Sequence, residues 1–180
     1  MKKNVLFIAV ITIAFLFTNE MSAQKFADLD KSPMDAAAYP VSYKESNKLV
    51  KVTYSRPQLK GRTVEKLAPS NKVWRTGANE ATEITFYADV VFGGTPVKAG
   101  TYTLFTIPNK DEWTVILSTA KNVWGSYFYK ESEDVVRVKG TVSESKESIE
   151  AFSIAFDGKD DAINMFLGFG NTLVTVPIKK

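Results

Sequence analysis

The chain has 180 residues, a formal net charge of +3, and neither cysteine nor histidine. Without cysteine there can be no disulfide, thiolate metal site or cysteine nucleophile; without histidine there is no imidazole base for a Ser-His-Asp triad and no His-ligated zinc or haem. Basic and acidic residues are interspersed with no polybasic arm, which argues against nucleic acid as a partner.

Met1 to Asn4 is short and basic, Val5 to Phe17 is almost unbroken apolar sequence, and Thr18 to Ala23 turns polar and ends on a small residue. These are the three regions of a secretory signal, with cleavage expected after Ala23. The apolar run is shorter than the roughly 20 residues a membrane-spanning helix needs. The mature protein is therefore expected to be exported, to the periplasm or the exterior, with no integral membrane segment.

Residues 24–48 show no sustained period, and Pro33 and Pro40 break any helix, so they read as an extended arm. A single β domain is expected over 49–180. Leu49 to Ser55 alternates, with Val50, Val52 and Tyr54 on one face, and Pro57 stops it. Thr82 to Val91 reads as one strand with Ile84, Phe86, Ala88 and Val90 inward, ended by a Gly93-Gly94 turn. Thr101 to Ile107 is β-prone on both faces and is placed centrally in a sheet. Pro108 to Asp111 is turn chemistry, and Trp113, Val115 and Leu117 form the partner strand of a hairpin. Strands follow at Val135 to Val142, Phe152 to Phe156, Ile163 to Leu167 and Thr172 to Ile178, with turns expected at 143–146, 157–160 and 168–171. The pattern predicts an all-β antiparallel sandwich of about eight strands, with a closed barrel as the alternative.

Two segments do not read as strands. Residues 56–81 are long for a connection in a compact domain unless they carry structure or function. Residues 120–134 concentrate Trp124, Tyr127, Phe128 and Tyr129 around Gly125. Loops gather at the ends of a sandwich, so the two segments are candidates to meet.

Tyr54-Ser55-Arg56-Pro57, Lys60-Gly61-Arg62 and the run Val73 to Thr82 (VWRTGANEAT) resemble the signature of an exported bacterial family, domain-of-unknown-function family 2911. So do Ala99 to Pro108, Trp113-Thr114 and Trp124-Gly125-Ser126-Tyr127. The resemblance covers about residues 49–178. Near the C-terminus the family shows Trp-Glu-Asn-Thr where this chain has Phe169-Gly170-Asn171-Thr172. The resemblance implies a β-rich exported domain and brings no activity, substrate or cofactor.

Arg56, Lys60, Arg62 and Arg75 are candidates for an anion pocket, because guanidinium forks match carboxylate or sulfate oxygens. The competing structural reading pairs Arg56 with Asp89 and Arg75 with Glu80 to brace the long loop. Trp74, Trp124 and Tyr127 offer faces on which sugar rings could stack, whereas Trp113 fits the inward face of its strand. Asn79 and Glu80 are candidates to hold a ligand hydroxyl, although Asn79 also suits a left-handed turn position. The Asp157 to Asp161 run has the wrong spacing for a calcium loop. The sequence thus assigns no catalytic residue, metal or cofactor. It points to an exported module for an anionic or carbohydrate small ligand, with a structural or protein-interaction domain of the cell envelope as the alternative and a carboxylate-based hydrolase behind both.

Overall fold

The computed structural model describes residues 24–180. The proposed signal segment and its cleavage point lie outside the described residues. Nine strands form one antiparallel sheet: β1 (Met34–Tyr39), β2 (Val50–Ser55), β3 (Thr82–Phe86), β4 (Val90–Phe92), β5 (Thr95–Val97), β6 (Gly100–Ile107), β7 (Glu112–Ser118), β8 (Asp134–Lys159) and β9 (Ala162–Lys179). Their order across the sheet is β1-β2-β3-β6-β7-β8-β9-β4-β5. The outermost strands, β1 and β5, do not pair with each other, so the sheet is open and not a closed barrel. It folds over on itself in a sandwich-like way around a main apolar core.

That core follows from period-two alternation. Val50, Val52 and Tyr54 of β2, Ile84 and Phe86 of β3, Val115 and Leu117 of β7, Phe152, Ile154 and Phe156 of β8, and Met165, Leu167 and Phe169 of β9 share it. β6 lies between β3 and β7, as expected for a strand apolar on both faces. It gives Leu104 to the main core and Phe105 to a smaller cluster with Ala81 and Ile116.

The structure departs from the sequence expectation in four places. The arm at 24–48 contains β1, which pairs along all of β2. Thr82 to Val91 is not one strand: the chain bends after Phe86, and β4 leaves β3 to pair with the end of β9. At this bend the Asp89 carboxylate accepts from the Ala99 N–H and the Lys98 ammonium. A short strand, β5, was hidden beyond the Gly93-Gly94 turn by Pro96, which an edge strand tolerates.

The fourth departure shapes the molecule most. The turns expected at 143–146 and 168–171 do not exist, because β8 and β9 run straight through as one long hairpin closed at 160–161. Bulges replace the turns. Between the pairs Glu144↔Thr172 and Ile149↔Gly170, β8 advances five residues against two on β9. Extra residues on one strand bend and twist a ladder, and here they swing the distal hairpin over β1 and β2. Gly168 packs under Ile149, whose Cδ1 would stand 2.5 Å from a Cβ at that position. The polar run 143–146, whose composition imitates a turn, sits at the bend.

Candidate functional site

The connection from β2 to β3 has structure of its own. After Pro57 it runs along β8, pairing Gln58 with Ala151, and Leu59 N–H donates to Glu150 C=O. A four-residue helix, α1 (Val64–Leu67), follows, capped by the Thr63 hydroxyl. Trp74 then pairs with Thr106 on the free end of β6, through hydrogen bonds of 2.7 and 3.0 Å. Glu80 forms the last bridge, with Trp124.

The two irregular segments therefore meet. Ala81 N–H donates to Val123 C=O, Gly125 N–H to Asn79 C=O, and the Ser126 hydroxyl to Val73 C=O. Beneath them Ala81, Phe105 and Ile116 form the smaller apolar cluster, with Val73, Ile107, Val123 and Tyr129 packed around it. This second core lies on the opposite side of β6 from the main one, and it fixes residues 120–130 to the sheet.

The nine candidate residues do not form one site. Arg56 is committed to the fold: its Nε donates to Phe152 C=O (3.0 Å), one Nη to Asp35 (3.0 Å) and the other to the Ser153 hydroxyl (2.6 Å). Arg62 donates to the carbonyls of Leu59 and Gln58 within its own loop. Lys60 takes a left-handed backbone (φ 47°), and its N–H donates to the Glu150 carboxylate. Arg56 and the Lys60 N–H tie the loop to β8, and Arg62 closes the loop on itself, so the Arg56 and Arg62 guanidinium groups are spent on the fold. The bracing partners also differ from those expected. Arg56 pairs with Asp35, because Asp89 lies beyond the bend with Lys98, and Arg75 makes no ion pair with Glu80 among the described residues.

Trp74 is a core residue, not a stacking face. It is 3 % exposed, meets Trp113 and Phe152 edge-on, and lies parallel to Phe169 at 6.1 Å. Phe169 supplies the parallel ring of that stack. Trp113 is also buried, as its strand position requires.

The remaining candidates come together on the rim formed by 75–83 and 122–128. Trp124 is 57 % exposed, and Tyr127 and its neighbour Phe128 are each 77 % exposed. Gly125 is left-handed (φ 68°), with the Tyr127 ring so close that a Cβ would lie 2.6 Å from it. Arg75 C=O accepts from Thr82 N–H, while its Nε is buried and has no hydrogen-bond partner among the described residues. Burial pulls its pKa down, partly offset by Tyr127. Asn79 holds the left-handed turn position (φ 59°), and its side chain helps to stabilise the charged form of the Asp30 carboxylate. That carboxylate, which also accepts from Ser32 N–H, is held below its ordinary pKa, mainly by the Ser32 bond. Beside this turn, Met34, Thr53, Glu80, Ala81, Glu83 and Asn122 line a cavity of about 280 Å³.

Sequence reasoning missed Asn122 and Met34 because separate segments supply them. Phe128 was visible in the aromatic cluster but not its exposure. A polar knot also escaped it. The Tyr129 hydroxyl donates to Asp134 (2.5 Å), and Arg137 donates to both. Burial, then the Asp134 carboxylate, raises the Tyr129 pKa to about 12.

Among the described residues no group of three or more acidic side chains is placed to hold a metal ion, and no helix is long and apolar enough to cross a membrane. A family model described as "Protein of unknown function (DUF2911)" matches residues 32–178. No curated protein and no solved structure matches the chain.

Proposed function

The chain belongs to the DUF2911 family, whose description carries no activity, and from the geometry of the rim we propose that it is an exported binding module for a small ligand. One observation carries the reading: Trp124, Tyr127 and Phe128 stay largely exposed although their segment is clamped by backbone hydrogen bonds and an apolar cluster of its own. Large aromatics on a rigid frame give contact area at little entropic cost, and a contiguous exposed apolar patch commonly marks an interaction site. Arg75 adds a buried donor without a partner, in the connection that pairs with this segment. Export is supported by the N-terminal charge and hydropathy pattern.

Thermal unfolding of the protein against neutral oligosaccharides, anionic sugars, small organic acids and calcium tests this. A ligand at 100 times its Kd adds about 2.7 kcal/mol of stability, which moves Tm by several degrees. The shift is expected to vanish in Trp124→Ala and to weaken in Arg75→Ala. No shift across the panel would move the assignment to a structural or protein-interaction domain, the role that the saturated Arg56 and Arg62 already play locally.

A further inference from the structure

Resting on that reading, we propose that the rim recognises a neutral, hydroxyl-rich ligand, a glycan chain, with Trp124 as the stacking face and Glu80 and Glu83 as acceptors for its hydroxyls. Glu80 and Trp124 are bridge partners, which places their Cβ atoms about 5 Å apart. An exposed indole thus stands directly beside a carboxylate. Glu83 lines the same cavity as Glu80, with Asn122 at its wall. Neither carboxylate forms an ion pair among the described residues; Glu83 accepts only a long 3.4 Å bond from Asn122 N–H.

Charge selects among ligands. An anionic ligand would meet two carboxylates lining the cavity. A basic peptide would be drawn to them but would meet the positive charge of Arg75, whose C=O accepts from Thr82 N–H at the start of β3. Hydroxyl groups suit both signs, because each donates to a carboxylate and accepts from a guanidinium. A pyranose also carries an apolar face that can lie on an aromatic ring. The mixed rim therefore favours a neutral sugar over either charged class.

Trp124 supplies its own reporter. Of the three tryptophans, Trp74 and Trp113 are 3 % exposed and Trp124 is 57 % exposed. The probes are neutral hexasaccharides of glucose, xylose, mannose and N-acetylglucosamine, with oligogalacturonate and hexalysine as charged comparators. At least one neutral hexasaccharide is expected to change the Trp124 emission, with little dependence on salt. The double variant Glu80→Gln/Glu83→Gln keeps side-chain shape and should weaken that binding about tenfold or more, with Tm little changed. Tighter binding of oligogalacturonate or hexalysine, falling as salt rises, would overturn the neutral-glycan inference and leave the binding module standing. Silence from every hexasaccharide, beside a Tm shift from an organic acid or calcium, would do the same. Silence from the whole panel removes both.

Discussion

Arg56 and Arg75 stand at the two ends of one connection, and their guanidinium groups meet opposite fates. Arg56 lies where the distal β8–β9 hairpin folds back over β1 and β2, and it finds a carbonyl, a carboxylate and a hydroxyl in reach. Arg75 lies where the connection pairs with 122–125, and its Nε is buried without a partner. The sequence presents both as arginines in a basic loop. The difference teaches that a cationic residue in a loop becomes available to a ligand only where the backbone geometry fails to supply acceptors, because a buried donor takes whatever acceptor the fold places within reach.

The most severe way to break this comparison is to remove the core beneath it. Trp74→Ala takes away the ring that packs on Trp113, Phe152 and Phe169. It is expected to cost about 3–5 kcal/mol in denaturant unfolding. Arg56→Ala should cost about 2 kcal/mol, since it removes charge-assisted bonds and leaves their acceptors half-buried. Arg56→Lys should recover little, because one ammonium cannot reproduce the fork. Gly125→Ala forces a left-handed alanine and displaces the Tyr127 ring. A loss of about 1–2 kcal/mol is expected, together with altered ligand binding.

A smaller effect is confined to alkaline pH. The folded protein holds the Tyr129 phenol protonated to about 12, above its ordinary value of 10.0. Between these values the folded state binds more protons than the unfolded one, so this contribution is complete below pH 10 and is lost as pH rises through about 12. Melting curves across that window should decline less steeply in Tyr129→Phe. The smallest change belongs to Arg75→Ala. Removing a donor that has no partner should leave stability within about 0.5 kcal/mol of the parent while ligand binding weakens. A loss as large as that of Arg56→Ala would erase the distinction between the two arginines.

Much of the sheet is legible along the chain because alternation is a local signal. β2, β6 and β7 fall where Val50 to Tyr54, Thr101 to Ile107 and Trp113 to Leu117 place them. The long hairpin is not legible. The polar run 143–146 reads as a turn by composition, and only the pairing of 143–149 with 170–173 shows a bulged ladder. The candidate site divides in the same way. The aromatic cluster around Gly125 and the turn at Asn79 stand out as local patterns, and the structure joins them. Whether each arginine is saturated, and that Met34, Thr53 and Asn122 share a cavity with Glu80 and Glu83, depends on segments far apart in sequence.

By itself the sequence determined the all-β class, the inward faces of the main strands, the burial of Trp113, and the absence of thiol and imidazole chemistry. These follow from composition and from the two-residue period of an extended chain. Only the tertiary structure decided that the sheet stays open, that Trp74 is core while Trp124 is exposed, and that Arg56 braces the fold while Arg75 Nε is buried without a partner. Each of these depends on which distant backbone groups a side chain meets, and a local pattern carries no information about partners that lie up to a hundred residues away.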